Sequence, residues 1–394
     1  MDGECRDRHL GVRQSRRTGR DSRFSEKGGG EDLKRYFRAP GRINIIGEHT
    51  DYNDGYVLPA AIDRYVTLSI ERTGRERIEL SSAGREAITF REGEIEPAGN
   101  WGDYVKGIFH VLKSEKKVEF GGLSIEIEST VPEGAGLSSS AALEVATITA
   151  LNEVFGLSLT DEERYRLSQR AENEFVGVQC GIMDQFASVM GRQDSAIFLD
   201  TVSMEYEYLP LELGAYSLVV FDSKVHHELL SGGYNSRREE ARKALEILGK
   251  KSYRDVSMVD LFSARPKMED LYYRRAMHVV SENMRVLEVV KILANSNYEN
   301  LGRFLVQSHE SLAYDYEVSC EEIDFIVDTL RNLNGVSGAR MIGGGFGGSV
   351  LALCEKSERE KIVEVVRERY FKEFNIAMDA YEVRPSRGAG EIGE

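Results

Sequence analysis

Apolar residues recur along this chain at two spacings, every second residue or every third to fourth, and the two spacings separate strands from helices. Order is expected to begin near Leu33. The stretches Tyr36 to Ile46 and Tyr56 to Ile70 are rich in β-branched and aromatic residues and predict strands. Between them Glu48-His49-Thr50-Asp51-Tyr52-Asn53-Asp54-Gly55 is a polar turn. Trp101 to Leu112 carries Val105, Ile108 and Leu112 on one face and predicts a helix. Leu123, Ile125 and Ile127 alternate within Gly122 to Ser129 and predict a strand. A loop from Val131 to Ser140 follows, then a long helix through Val154.

Helices are predicted from Glu162 to Phe175 and from Gly181 to Met190, and a short strand at Ile197-Phe198-Leu199. A second unit then begins. Ser217 to Phe221 reads as a strand and Tyr234 to Leu248 as a helix, with further helices over 273–293, 298–313 and 321–333. Strands at Ala339 to Ile342 and Val350 to Cys354 flank a glycine run, and a helix over 356–373 and a strand at Ala380 to Val383 close the chain. Strands and helices mix without strict alternation and without an internal repeat. The class predicted is α+β, with one domain over 34–205 and another over 206–394. Residues 1–30 are Arg-rich, poor in large apolar residues and end in three glycines, and read as a disordered tail.

Composition narrows the function. The chain has 394 residues, enough for two domains, and 41% are hydrophobic, which suits a globular protein. Mean hydropathy is -0.37, no run approaches the ~20 apolar residues of a membrane helix, and the N-terminus lacks the apolar core of a signal peptide. A cytoplasmic protein is expected. The formal charge of -15 argues against nucleic acid and against an anionic membrane surface. The four cysteines, Cys5, Cys180, Cys320 and Cys354, form no CxxC pair, as expected in a reducing compartment without a zinc site.

Four segments carry chemistry. Gly134-Ala135-Gly136-Leu137-Ser138-Ser139-Ser140 lies between a strand and a helix. Its glycines let backbone N–H groups converge, and the helix N-terminus behind them suits a phosphate. The same residues read as an ordinary serine-capped helix start. No Lys-Ser or Lys-Thr pair makes this a Walker loop, and Ser139 stands where a dinucleotide fingerprint has its third glycine. Five of the six residues at 343–348 are glycine. The following residues read as a strand, which rejects the dinucleotide fingerprint and leaves a tight hairpin or a close approach to a ligand or another loop. Asp184 in Gly181-Ile182-Met183-Asp184-Gln185 is a helix-start acid with a catalytic or merely dipole-favoured role. Finally, Glu48, His49 and Asp51 cluster after a strand, where they could bind a metal, a polyol or only water. A single His and no Cys argue against zinc.

Together these segments resemble the signature motifs of the GHMP kinases, and of the galactokinase branch in particular. Arg38-Ala39-Pro40-Gly41-Arg42-Ile43-Asn44-Ile45-Ile46-Gly47-Glu48-His49-Thr50-Asp51-Tyr52-Asn53 is similar to that branch's first motif, the Gly134 loop to its phosphate loop, and Gly343–Gly348 to its third. The likeness runs from about Phe37 to the last residues, through Asn100-Trp101, Ala171-Glu172-Asn173 and Tyr234-Asn235-Ser236-Arg237-Arg238. It implies a first domain like the second domain of ribosomal protein S5, a ferredoxin-like second domain, and an active site between them. It implies ATP and D-galactose as substrates, Mg2+ as the metal, and a monomer.

The resemblance also implies roles. Asp184 would be the acid–base residue at the anomeric hydroxyl, with Arg42 beside it. Ser140 and Glu172 would hold magnesium. Gly134 to Ser140 would wrap the phosphates and Trp101 would wall the adenine, unless it is simply core. Glu48, His49, Asp51, Tyr234 and the backbone at Gly181 would bind sugar hydroxyls. A kinase for another sugar, such as N-acetylgalactosamine, and a non-catalytic sensor of galactose and ATP are the alternatives. Sensors of that kind lack a Ser-Ala pair in the phosphate loop, and Ser140-Ala141 is present here. The chain departs from the family at Ile342, where Thr is usual, and at Ser349, often Cys. Loss of the hydroxyl at Ile342 is expected to weaken support of the phosphate loop.

Overall fold

The computed structural model describes residues 34–226, 230–296 and 298–393. The tail predicted over 1–30, and Cys5 with it, lies outside these residues. In chain order the strands and helices begin β1 (Arg35–Asn44), β2 (Tyr56–Val57), β3 (Pro59–Thr73), β4 (Ile78–Ser82), β5 (Ile88–Phe90), α1 (Asp103–Lys116) and β6 (Gly122–Ser129). They continue with α2 (Ser139–Phe155), α3 (Asp161–Arg170), α4 (Met183–Met190), β7 (Ser195–Asp200), β8 (Tyr206–Pro210) and β9 (Tyr216–His226). The rest are α5 (Leu230–Ile247), α6 (Met258–Ala264), α7 (Asp270–Ala294), α8 (Leu301–Glu310), α9 (Glu321–Arg331), β10 (Val336–Ile342), β11 (Gly347–Glu355), α10 (Arg359–Phe374), β12 (Asp379–Val383) and β13 (Gly390–Ile392).

The first sheet has the order β13-β1-β3-β6-β4-β5 and is antiparallel except where β4 runs parallel to β6. A second has the order β10-β11-β9-β12, all antiparallel, and with α10 before β12 it is the ferredoxin-like arrangement. It is buried on both faces, and the period of two shows it. Leu218 and Val220 of β9 and Leu351 and Leu353 of β11 join the core of the first sheet and α2. Val219, Phe221, Val350 and Ala352 point the other way, into a second core with α9 and α10. The fold is therefore α+β, as the sequence predicts.

Two elements lie across the expected division at 205/206. β8 pairs with β7 in a small third sheet, β2-β7-β8, and β13 returns from the end of the chain to pair with β1. Three predicted boundaries differ where the site is built. The helix expected from Trp101 starts at Asp103, which leaves Trp101 in the turn before it. The helix expected from Gly181 starts at Met183. The helix expected to run to Phe175 ends at Arg170 and widens into a π turn over Ala171–Val176, a form common at functional sites.

Candidate active site

The register of β1 against β3 shifts between Pro40 and Arg42. Such a bulge re-aims side chains, and here it turns Arg42 toward the loop ahead of α2. The backbone fixes the approach, since Arg42 N donates to Leu137 O at 3.1 Å. In that loop Ala135 and Leu137 are buried in the core, so they offer a ligand only their backbone. Ser138 stands in the left-handed region, with φ 59 and ψ 49, at the N-cap of α2, yet its side chain does not cap the helix. Its hydroxyl donates instead to Asp184 Oδ2 at 2.5 Å. The plain capped-helix reading fails on that contact. The N-terminus of α2 has no side-chain cap, which is what an anion site needs.

The glycine run at 343–348 buttresses this loop. A Cβ on Gly136 would stand 2.7 Å from the Ile342 carbonyl oxygen, and one on Gly343 would stand 2.8 Å from Gly136 Cα, so both positions must be glycine. The support comes from the Ile342 backbone, while its side chain is core. The absent Thr hydroxyl therefore takes nothing from this contact. The partner position across the hairpin, Ser349, is fully buried with its hydroxyl unpartnered.

Asp184 opens α4 and meets Arg42 as a two-pronged pair, Nε to Oδ1 and Nη2 to Oδ2, both at 2.8 Å. The third arm of the guanidinium, Nη1, donates to Gly136 O at 2.6 Å. Arg42 is thus pinned between the acid and the loop, with its planar fork matched to the carboxylate.

Three further carboxylates crowd this corner. Asp51 lies over Gly181, where a Cβ would come within 1.8 Å of Asp51 Oδ2. Glu172, on the π turn, accepts from Gln185 Nε2 at 2.6 Å and from the Cys180 thiol at 3.3 Å, with the Ser140 hydroxyl beside it. Glu144, one turn after Ser140 on α2, is fully buried and accepts from the same Gln185 amide at 3.1 Å. Burial first, and then the Asp184 charge, pushes Asp51 up to about 7 and Glu172 up to about 7. Burial, then Glu172, raises Glu144 well above the carboxylate range.

Asp51 has a measurable consequence. In the unfolded chain it ionises near its ordinary 3.8, and in the folded protein it keeps its proton to about 7. Between those values the folded state binds the extra proton, so stability present below about pH 4 is lost as pH rises to about 7. Asp51→Asn has no charge to bury. It should match the wild type at about pH 4 and be the more stable by ~1–3 kcal/mol at pH 8. Melting curves from pH 4 to 8 check this, and parallel curves for the two proteins would contradict it.

A cavity of about 170 Å³ is lined by Arg42, Glu48, His49, Asp51, Glu172, Cys180, Gly181, Asp184, Tyr234 and the Gly343-Gly344 backbone, among others. Every sugar-side residue expected from the sequence is here. Two of them differ from expectation in how they are held. Glu48 is buried and ion-paired with Arg340 at 2.5 Å. His49 Nδ1 bonds the Tyr52 hydroxyl at 2.6 Å, and its Nε2 makes no full hydrogen bond, the Gly344 backbone being its weak neighbour. Burial, then the nearby His278, lowers His49 to about 3, so it is neutral. A second cavity, about 210 Å³, is lined by Trp101, Tyr104, Arg85, Ser139, Ser140 and Leu143, among others. Trp101 both walls this cavity and packs against the core, so its two sequence readings are compatible. Ser140 lines the second cavity and touches Glu172 of the first.

Sequence reasoning missed Arg340, Gln185 and Glu144. Gln185 follows Asp184 directly, and Glu144 is a lone acid in the apolar run Ala141-Ala142-Leu143-Glu144-Val145-Ala146. That isolation was the available signal, because a charged group in an apolar helix face needs a partner.

Comparisons with known proteins place the chain in a family. Models of the GHMP kinases N terminal domain and the GHMP kinases C terminal match residues 103–192 and 289–372, and the galactokinase galactose-binding signature matches 22–72. A galactokinase of Thermotoga neapolitana is 48% identical over 355 residues, covering 90% of this chain and 99% of that one. A galactokinase of Pyrococcus furiosus is 42% identical over 353 residues, covering 90% and 98%. Among solved structures, Lactococcus lactis galactokinase complexed with galactose superposes with a TM-score of 0.88 at 33% identity, over 91% of this chain and 95% of that one. A mevalonate kinase at 18% identity and a TM-score of 0.64 shares the fold.

Proposed function

The chain belongs to the GHMP kinases and, within them, to the galactokinases, and from that premise we propose that it transfers the γ-phosphoryl group of ATP to the anomeric hydroxyl of D-galactose, giving α-D-galactose 1-phosphate and ADP. The observation that carries the reading is the Arg42–Asp184 pair on the wall of the sugar cavity, braced against the phosphate loop through Gly136 O. Asp184 Oδ takes the hydroxyl proton, the sugar oxygen bonds the γ-phosphorus, and the β,γ-bridging oxygen leaves with ADP. Such transfer runs through a loose transition state in which the hydroxyl proton is released late. Arg42 holds the Asp184 carboxylate in place through its fork and faces the charge that develops on the phosphoryl oxygens. Asp51 and Tyr234 hold hydroxyls of the sugar, and the α2 N-terminus with Ser139 and Ser140 holds phosphates.

The residues present fit magnesium. Glu172 is a buried carboxylate that burial, then the Asp184 charge, pushes up to about 7, and Ser140 is beside it. Among the described residues no group of three metal-ligating side chains forms a cage, which suits an ion that leans on one or two carboxylates plus nucleotide phosphates and water. Glu172 and Ser140 would hold it there, and it would supply neutralisation of the phosphate charge. Glu172→Ala should therefore raise the magnesium concentration for half-maximal rate by about ten-fold or more, the least expected for a group nearer the ion than an outer-shell partner. Rate against magnesium for both proteins checks this, and an unchanged curve would return Glu172 to a structural role. A coupled ADP-release assay over a panel of hexoses tests the function itself.

A further inference from the structure

The first and third motifs are joined by a charge network that the reaction above does not use. Arg340, on β10, has no solvent exposure, although it carries a full charge. Its Nη2 donates to Glu48 Oε1 at 2.5 Å and its Nη1 to Ser308 Oγ at 3.1 Å, with Glu282 Oε1 3.6 Å away. Glu282 in turn accepts from Gly47 N at 2.9 Å and from Arg285 Nε at 2.6 Å. Two arginines thus face two glutamates in the core. An apolar replacement of such a network is often as stable, so retention of the charges calls for another reason.

The reason lies at Glu48, the one member that lines the sugar cavity. Its Oε1 accepts from Arg340 and also from Gly343 N at 3.0 Å. Both bonds end on one oxygen, which fixes the carboxylate plane and leaves Oε2 for a ligand. Asn44 Nδ2, beside the same carboxylate, ends without a full hydrogen bond. Gly343 is the residue that closes on Gly136 of the phosphate loop. We propose that Arg340 is a positioning residue for the sugar, locking Glu48 so that Oε2 accepts from one sugar hydroxyl while Oε1 holds Gly343 against the phosphate loop. Burial pushes the Glu48 carboxyl up, and Arg340 is the largest influence holding it down. Without that cation the carboxyl would be pushed further up and would lose the bond that fixes Oε1 and aims Oε2 at the cavity.

The inference rests on the proposed galactose reading, and the experiment separates the two. Calorimetry of the full-length protein with galactose and each monodeoxygalactose comes first. If the wild type binds no galactose, the functional reading fails. If it does, Arg340→Lys should weaken galactose binding about ten- to hundred-fold, since a point charge cannot serve Glu48 and Ser308 as the guanidinium fork does. The penalty should vanish for the one deoxy sugar that lacks the hydroxyl Glu48 meets, and binding of an ATP analogue without sugar should change less than galactose binding. A purely structural role would lower every sugar alike. A uniform penalty, or unchanged galactose affinity, overturns the proposal. If Arg340→Lys does not fold, the charge-balanced pair Glu48→Gln with Arg340→Met replaces it. Acting through Glu48, Arg340 should add no further loss to that of Glu48→Gln alone, and additive losses overturn the proposal.

Discussion

Asp184→Asn should lower turnover with galactose by ~10²–10⁴ while leaving sugar and ATP binding largely intact. The amide cannot take the hydroxyl proton. It also breaks the fork, because Arg42 Nε and Nη2 would face one amide oxygen, which accepts, and one amide NH2, which cannot. Arg42 keeps its bond to Gly136 O, so the guanidinium stays near the loop and the sugar pocket keeps its walls. The Ser138 hydroxyl, which donates to Oδ2, can turn to accept from the amide. Some stability is lost, because a buried guanidinium has lost its counter-charge. Single-turnover kinetics with calorimetry on the folded variant separate these effects. Wild-type turnover in a folded Asp184→Asn protein would remove Asp184 from the chemistry.

Galactose should exceed glucose in kcat/KM by ~10⁴ or more, with the phosphate on C1. The two sugars differ only in the direction of the C4 hydroxyl, so selection must come from polar groups that bond it. Inverting it leaves those groups desolvated and unpaired, whereas an apolar wall would discriminate only ~10–200-fold. The cavity places Asp51, an acceptor when ionised, near Tyr234, whose phenol burial keeps protonated as both donor and acceptor. Tyr234→Phe and Asp51→Ala should each reduce galactose turnover and narrow the ratio. Gly181→Ala should do the same without deleting any polar group, because its Cβ would occupy the place of the Asp51 carboxylate, 1.8 Å from Oδ2. The measurement is kcat/KM for galactose, glucose, 2-deoxygalactose and N-acetylgalactosamine, with the product located by phosphorus NMR. N-acetylgalactosamine or glucose outrunning galactose, or phosphate on C6, would change the substrate and leave the kinase standing.

The strands that sequence patterning missed share a character. β4, β5 and β8 are three to five residues long, and β13 lies in Gly388-Ala389-Gly390-Glu391-Ile392 without an apolar run. Strands this short have too few alternations for a period of two to show. β13 is ordered by partners far away in sequence, Tyr36, Phe37 and Arg38, and by the side-chain pair Arg35–Glu391. Helix starts were misjudged where apolar residues continue past the turn, as at Trp101 and Gly181.

The sequence by itself determined the local chemistry. The glycines of the phosphate loop, the strand that delivers Arg42, and the acid at the start of α4 are each specified by residues within a few positions of one another. Only the tertiary structure decided which carboxylates meet. Asp51 and Gly181, Glu48 and Arg340, and Glu144 and Glu172 are each far apart in the chain and touch, directly or through Gln185, only after two sheets and α2 have packed. The burial that raises Asp51 and Glu172 to about 7 exists only in that packed state. Side-chain identity is a property of one position, while proximity and desolvation are properties of the fold.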